Sequence, residues 1–269
     1  MKANKFPLLL IILFVSSLLP SCSSVVLTGR KQLSLIPSSQ MMSMSYQQYD
    51  EFLKSNKLST NGQQTEMVKT VGAKIKTAVE MYFNQQGMAS ALDGYSWEFN
   101  LIDSPEANAW CMPGGKVVIY TGILPITQDA TGLAVVMGHE IGHAIAEHGN
   151  ERMSQAMMTE LGGMALAVAL QEKPEQTQQL WLTAYGVGSQ VGVMLPFSRL
   201  HEGEADRLGL IFMAMAGYDP NQALNFWQRM ANMKSGQAPP EFLSTHPSDA
   251  TRIKNIKKWL PEAMQYYKP

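Results

Sequence analysis

Cysteine is nearly missing from these 269 residues: Cys22 and Cys111 are the only two. A disulfide-built scaffold is thereby excluded, since at most one bridge could form. Charge is also sparse at 16%, and its balance leaves a formal net charge of −1. The basic excess of a nucleic-acid binder is absent, and that class of partner is set aside. No stretch reads as a membrane span: Phe6 to Leu19 is too short, and Leu180 to Phe197 is interrupted by Thr183, Ser189, Gln190 and three glycines. Both that stretch and Leu161 to Leu170 are expected as buried helices. There is no internal repeat or low-complexity tract. What remains is 45% hydrophobic, enough for a sizeable core in one domain with extensions.

The first twenty residues are a separate object. Lys2 and Lys5 precede the apolar run, which has the length and flanks of a secretory signal. Leu19-Pro20-Ser21-Cys22 then resembles a lipobox, in which the cysteine is lipidated and becomes the first mature residue; Pro20 is an unusual occupant. Lipidation of Cys22 leaves Cys111 unpartnered, so no disulfide is expected despite export. Two acyl chains suffice for stable anchoring. The expected division is a signal peptide at 1–21, a lipidated cysteine and polar tether at 22–37, and a folded domain at 38–269. Ser23 offers no aspartate retention signal, which favours a membrane anchor in the outer membrane facing the periplasm.

Beyond the tether the periodicity is mainly helical. Ser38 or Ser39 can cap a helix through about Lys54, and Met67, Val68, Val71, Ile75 and Val79 mark the apolar stripe of a second from Gln63 to Phe83. Trp97–Ile102 and Lys116–Thr121 read as strands, with Pro113-Gly114-Gly115 as a turn and Asn108–Met112 as a short edge strand between them. A long helix is expected from about Gln128, capped by Thr127, through His148. Later helices are predicted over 199–216, from Asp219-Pro220 to 234, and over 249–260, with a Pro- and Gly-rich loop at 235–248. The predicted class is α+β, mainly helical, with a small antiparallel sheet. The methionines Met41, Met42, Met44, Met157 and Met158 fit adaptable core or contact surface.

The long helix carries GLAVVMGHEIGHAIAEHG, in which His139, Glu140 and His143 interrupt an otherwise apolar surface. His139 and His143 are four apart, hence about 40° around the axis, and their imidazoles can converge on one metal ion. Glu140 projects beside that point, where it can take a proton from water. Two helix histidines satisfying core polar groups are the bland alternative. His148 is nine residues from His139, about 180° away on a straight helix, and fits a helix-end or solvent-facing role. A catalytic zinc needs a third protein ligand. In Ser198–Asp206 (SRLHEGEAD) the four-residue spacing recurs: Glu202 and Asp206 share a face, whereas Glu204 lies about 200° from Glu202. Glu202 is then the candidate ligand and Asp206 the acceptor for the far nitrogen of a ligating histidine. Glu204 and Arg207 fit a solvated face.

HEIGH followed by Glu202 and Asp206 resembles the M48 zinc metallopeptidases, the Ste24-, HtpX- and Oma1-like family. The resemblance extends to Asn108–Gly122, similar to the family's NA-F-PGGK-YTG segment, to Gly217–Pro220 with Phe226-Trp227 and Arg229-Met230, and to Thr245-His246-Pro247 through Arg252, about 66–260 in all. It implies a zincin-type (gluzincin) domain and one catalytic Zn2+ on His139, His143 and Glu202, with Glu140 as catalytic base. It also implies an edge strand at Asn108-Ala109-Trp110 that pairs with an extended substrate. Trp110 stands where the family more often has Phe, read as a change of groove shape. The long hydrophobic helices of the membrane branches are missing, so the likeness is to a soluble, periplasmic lipoprotein branch.

The implied function is a zinc endopeptidase acting on unfolded or misassembled cell-envelope proteins, with envelope assembly machinery as a further partner. The alternative is a latent, chaperone-like assembly factor that binds clients with conditional proteolysis. In similar periplasmic members the His-Pro loop can place its histidine on the zinc at rest. His246 is therefore a regulatory ligand that makes 235–248 a gate, an oxyanion donor, or a structural loop residue. Arg252 binds substrate or oxyanion, or forms a salt bridge. Cys111 fits a buried small hydrophobe and not a ligand or nucleophile.

Overall fold

The computed structural model describes residues 22–26, 28–190, 194–233, 242, 246 and 250–268. The expected signal peptide, and most of the loop at 235–248, lie outside them. Two compact units partition the chain: Met1–Ser38 with Asn150–Leu195, and Ser39–Gly149 with Pro196–Pro269.

In the first unit, strands β1 (Cys22–Ser24) and β2 (Lys31–Leu33) pair antiparallel, with Cys22 opposite Leu33. The segment expected as a tether is therefore ordered structure. Its anchors are polar: Arg30 donates to both carboxylate oxygens of Glu151 at 2.9 and 2.7 Å, Leu35 N–H donates to Ser154 Oγ, and Asn150 donates to Ser34 Oγ and to the Ile36 carbonyl. A sequence scan sees only a polar stretch, because those partners are more than a hundred residues away. Within this unit the expectation of buried apolar helices fails. Val168, Leu180 and Trp181 are 65%, 68% and 56% exposed. A helical hairpin has one inner seam, here Tyr185 donating to the Thr159 carbonyl and packing on Gly162, and apolar residues off that seam face outward.

The second unit holds the core. Helix α1 (Ser38–Ser55) precedes α2 (Gly62–Gln85), capped by Asn61, whose side chain accepts from Gln64 N–H. The stripe Val68, Val71, Ile75 and Val79 is fully buried, each side chain contributing roughly 1.5–3 kcal/mol on leaving water. Strands β3 (Glu98–Ile102), β4 (Ala109–Met112) and β5 (Lys116–Tyr120) form a sheet in the order β3-β5-β4. The sheet is mixed and not purely antiparallel: β4 and β5 make an antiparallel hairpin, but β3 runs parallel to β5, with Glu98 opposite Lys116. The Pro113-Gly114-Gly115 turn closes the β4–β5 hairpin, since Gly114 and Gly115 at φ +84° and +85° reverse the chain in a region side chains avoid. With β3 on the other side of β5, β4 is an edge of the sheet among the described residues. Lys116 ion-pairs with Glu98 at 3.2 Å across the parallel pair.

A short helix α3 (Leu124–Thr127) ends at Gln128, φ +70°, and Asp129 then caps α4 (Ala130–Ile145) by accepting from Gly132 N–H at 2.8 Å. The cap is thus Asp129 and not Thr127, which is buried in the preceding turn. Apolar on nearly every side, α4 is buried along almost its whole length. It stops at Ala146; Glu147 adopts φ +55°, and α5 (His148–Leu170) starts anew. Then follow α6 (Glu175–Ser189), α7 (Leu195–Met215), α8 (Gln222–Met233) and α9 (Ala250–Ala263).

Candidate metal centre

Helices α4 and α7 meet through their smallest residues. A methyl on Gly142 would lie 2.7 Å from the Ala205 carbonyl oxygen, and one on Gly138 2.9 Å from that of Gly209. With no side chain between them the two backbones touch, which brings a histidine-bearing face against a carboxylate-bearing one. His139 Nε2 and His143 Nε2 are 3.2 Å apart, Glu202 Oε1 is 3.1 Å from His143 Nε2, and Glu202 Oε2 is 3.4 Å from His139 Nε2. His246 joins them: its Nδ1 stands 3.1 Å from His139 Nε2 and 3.0 Å from Glu202 Oε1. One donor atom from each of the four lies within 4.8 Å of every other.

Such a cluster of nitrogen lone pairs and a carboxylate, largely out of water, needs positive charge at its centre. Two imidazoles and a carboxylate form a donor set that suits zinc. The protonation state agrees. Burial and the Arg252 charge oppose a proton on His139, yet the Asp206 and Glu202 carboxylates outweigh them and raise its pKa to about 9. Burial drives His143 well below its ordinary value, against the pull of Glu202. Burial alone would raise Glu202, but the His139, His143 and His246 rings against it hold it far below the usual carboxylate range. Glu140 is raised, by burial foremost. Its Oε1 is buried without a hydrogen bond, 3.5 Å from His246 Nε2, and faces the same space.

The surrounding residues divide by what they touch. Asp206 Oδ1 lies 2.9 Å from His139 Nδ1 and accepts its proton, which turns Nε2 toward the cluster. Arg252 is buried in an ion pair and does not reach outward: it donates to both oxygens of Asp206 at 2.8 and 2.7 Å, stands 3.1 Å from Glu202 Oε2, and lies 3.3 Å over the Trp227 ring. Trp110 departs from its expected place. Its indole packs edge-on against Phe52 and Tyr49 and donates toward Tyr120 Oη, so it belongs to the cluster under α1 and not to a groove. Alternation along β4 turns Ala109 and Cys111 the other way. The Cys111 thiol is pushed well above the ordinary range by burial and by Glu140. Asn108 Oδ1 accepts from Ala109 N–H at the head of the edge strand.

Three participants escaped the sequence reading. His148 is fully buried, with Nδ1 2.9 Å from His143 Nδ1, and is neither solvent-facing nor remote. The turn at Glu147 breaks the helix and cancels the straight-helix phase used to exclude it. Glu204 is buried and not solvated, 3.1 Å from His148 Nε2. Phe242 stacks on the His246 ring at 4.6 Å, and its N–H donates to the Ala107 carbonyl, just ahead of β4. No local pattern marks it.

Residues 71–260 match the model of peptidase family M48. The chain belongs to that family. Among its relatives are the mitochondrial metalloendopeptidase OMA1 of Saccharomyces cerevisiae, 37% identical over 185 residues (66% of this chain, 51% of the relative), and OMA1 of Homo sapiens, 28% identical over 245 residues (89% and 46%). The β-barrel assembly-enhancing protease of Escherichia coli is 29% identical over 185 residues (65% and 38%). The chain spans about half the length of these OMA1 relatives. They correct the outer-membrane, lipid-anchored location expected from the N-terminus: the relatives matched at 37% and 39% identity are mitochondrial by name. No helix among the described residues is long and apolar enough to cross a membrane. Residues 1–22 lie outside the matched segment 71–260, so the family match gives that location no support.

Proposed function

We propose that this M48 protein is a zinc-dependent endopeptidase that cuts extended segments of unfolded or misassembled polypeptides. The observation carrying the reading is the convergence of His139, His143 and Glu202 donors beside the buried Glu140 carboxylate. His139, His143 and Glu202 would hold the ion. When bound, zinc supplies Lewis-acid polarisation of the scissile carbonyl and acidifies water.

The chain's own residues do the rest. Glu140 takes the proton of the attacking water and delivers it to the leaving amine; its raised pKa makes it a better base near neutral pH than an exposed carboxylate. Asp206 keeps His139 in the ligating tautomer, and Arg252 balances the paired carboxylates of Asp206 and Glu202. The side of β4 away from β5, unpaired among the described residues, offers backbone groups to an extended peptide, which selects for unfolded chain and against compact folds.

A second reading concerns His246. Its nitrogen among the other donors supports a resting form in which His246 fills the position that water or the substrate carbonyl needs. The enzyme is then latent until the segment carrying His246 withdraws, and client binding without cleavage is its resting activity.

Hydrolysis of unfolded casein, with and without a chelator, tests both. Wild type is expected to cleave and to stop on chelation. Glu140→Gln is expected to keep zinc and lose cleavage by a factor of at least about 10²; near-wild-type cleavage removes Glu140 from its role. His246→Ala is expected to cleave faster at equal zinc content. Unchanged rate and stoichiometry remove the gate.

A further inference from the structure

Behind His143 lies a buried pair that the proposed chemistry does not use. His148 Nδ1 stands 2.9 Å from His143 Nδ1, and His148 Nε2 stands 3.1 Å from Glu204 Oε2. His148 is 0% exposed and its ring stacks on His201 at 4.2 Å, nearly parallel. The placement is built at some expense, since Glu147 enters the left-handed region at φ +55°, which non-glycine residues seldom occupy. An unbroken helix would turn residue 148 about 140° from residue 143.

Hydrogen-bond roles along the row are constrained by its last member. A carboxylate only accepts, so His148 Nε2 carries the proton donated to Glu204. His148 Nδ1 is then a lone pair and must accept. The donor facing it is His143 Nδ1–H, and that leaves His143 Nε2 as a lone pair, which accepts from His139 Nε2, 3.2 Å away, in the metal-free protein and lies beside Glu202 Oε1. His139 is held at its Nδ1 by one carboxylate, Asp206; His143 is held by a carboxylate one imidazole further away.

We infer that Glu204 and His148 are positioning residues, a two-member relay that fixes His143 in its Nδ1–H tautomer and orients its Nε2 for the metal. The inference rests on the reading that His139, His143 and Glu202 hold an ion, and its test separates the two. Ring nitrogen shifts of the histidines, read by two-dimensional 1H–15N NMR on zinc-free protein, report the tautomer without any metal; with only five histidines in the chain the assignment is tractable. Zinc affinity is measured separately, by competition with a chromophoric chelator.

Wild type is expected to show His143 protonated on Nδ1 and to bind one zinc per chain. His148→Phe keeps an aromatic ring for the His201 stack and removes the acceptor. It is expected to lose the single tautomer and to weaken zinc binding by about 10- to 100-fold. Glu204→Gln carries the same test if His148→Phe does not fold. Its amide can donate as well as accept, so it admits the reversed chain, and both His143 tautomers with roughly 10-fold weaker zinc are expected. A single Nδ1–H tautomer and zinc affinity within twofold of wild type in the variant that folds would overturn the relay. Absence of zinc binding by wild type with the tautomer result as expected overturns the metal reading and keeps the relay.

Discussion

Gly142→Ala should loosen the metal centre without altering any donor. Its Cβ would sit 2.7 Å from the Ala205 carbonyl oxygen and 3.2 Å from Ala205 Cα, and ordinary contact begins at 3.4 Å. Both partners are backbone, so a rotamer change cannot relieve the clash, and α4 and α7 must part by roughly 0.7 Å. Ala205 lies between Glu202 and Asp206, so the displacement passes to the residues that face His143 and His139. Sites of this kind tolerate about 0.5 Å. Overpacking costs about 1–3 kcal/mol, partly offset by about 1 kcal/mol of improved helix propensity, for a net loss of up to about 2 kcal/mol. Competition titration is expected to show zinc binding weakened about 10-fold or more, and thermal unfolding of the metal-free protein a lower Tm. Gly149→Ala is the control, because nothing lies within 4 Å of its Cβ, and it is expected to stabilise slightly. A Gly142→Ala protein with raised Tm and unchanged zinc affinity would refute the claim that helix contact sets the donor spacing.

Other perturbations probe the charges and caps. Arg252→Met leaves the buried Asp206 and Glu202 carboxylates without their cation; a loss of about 3–5 kcal/mol is expected in the metal-free protein and a smaller one with zinc bound, read by chemical denaturation of both forms. Equal losses in the two forms would count against charge balance. Asp129→Ala removes the α4 cap and should cost about 1 kcal/mol while leaving zinc affinity intact. For pH, a raised histidine such as His139 contributes stability fully below its unfolded pKa of about 6.5 and loses it as pH climbs through about 9. A lowered histidine such as His143 subtracts stability below 6.5 and is silent above. Metal-free Tm is therefore expected to peak near pH 6.5 and fall toward pH 9; a rise over that alkaline range contradicts the assignment.

The sequence by itself determined the helical majority, the placement of HEIGH on a buried helix, and the pairing of Glu202 with Asp206. Each of these is a statement about period along one element, and helical phase depends on nothing beyond the chain's own geometry. It failed wherever that geometry was interrupted or the partner was distant. His148 was excluded by straight-helix phase, which the turn at Glu147 invalidates, and Glu204 keeps its phase on α7 but is buried because His148 meets that face. Trp110 had to turn one way or the other on an edge strand, and only Phe52 and Tyr49 on α1 decide which. The parallel pairing of β3 with β5, the ordered hairpin at Cys22–Leu33 and the exposed face around Trp181 are equally matters of which surfaces meet. Donor spacing is the clearest case. The sequence names the ligand candidates, but the separation of His143 from Glu202 is set by two helices touching through Gly138, Gly142, Ala205 and Gly209, a fit that exists only once both are packed.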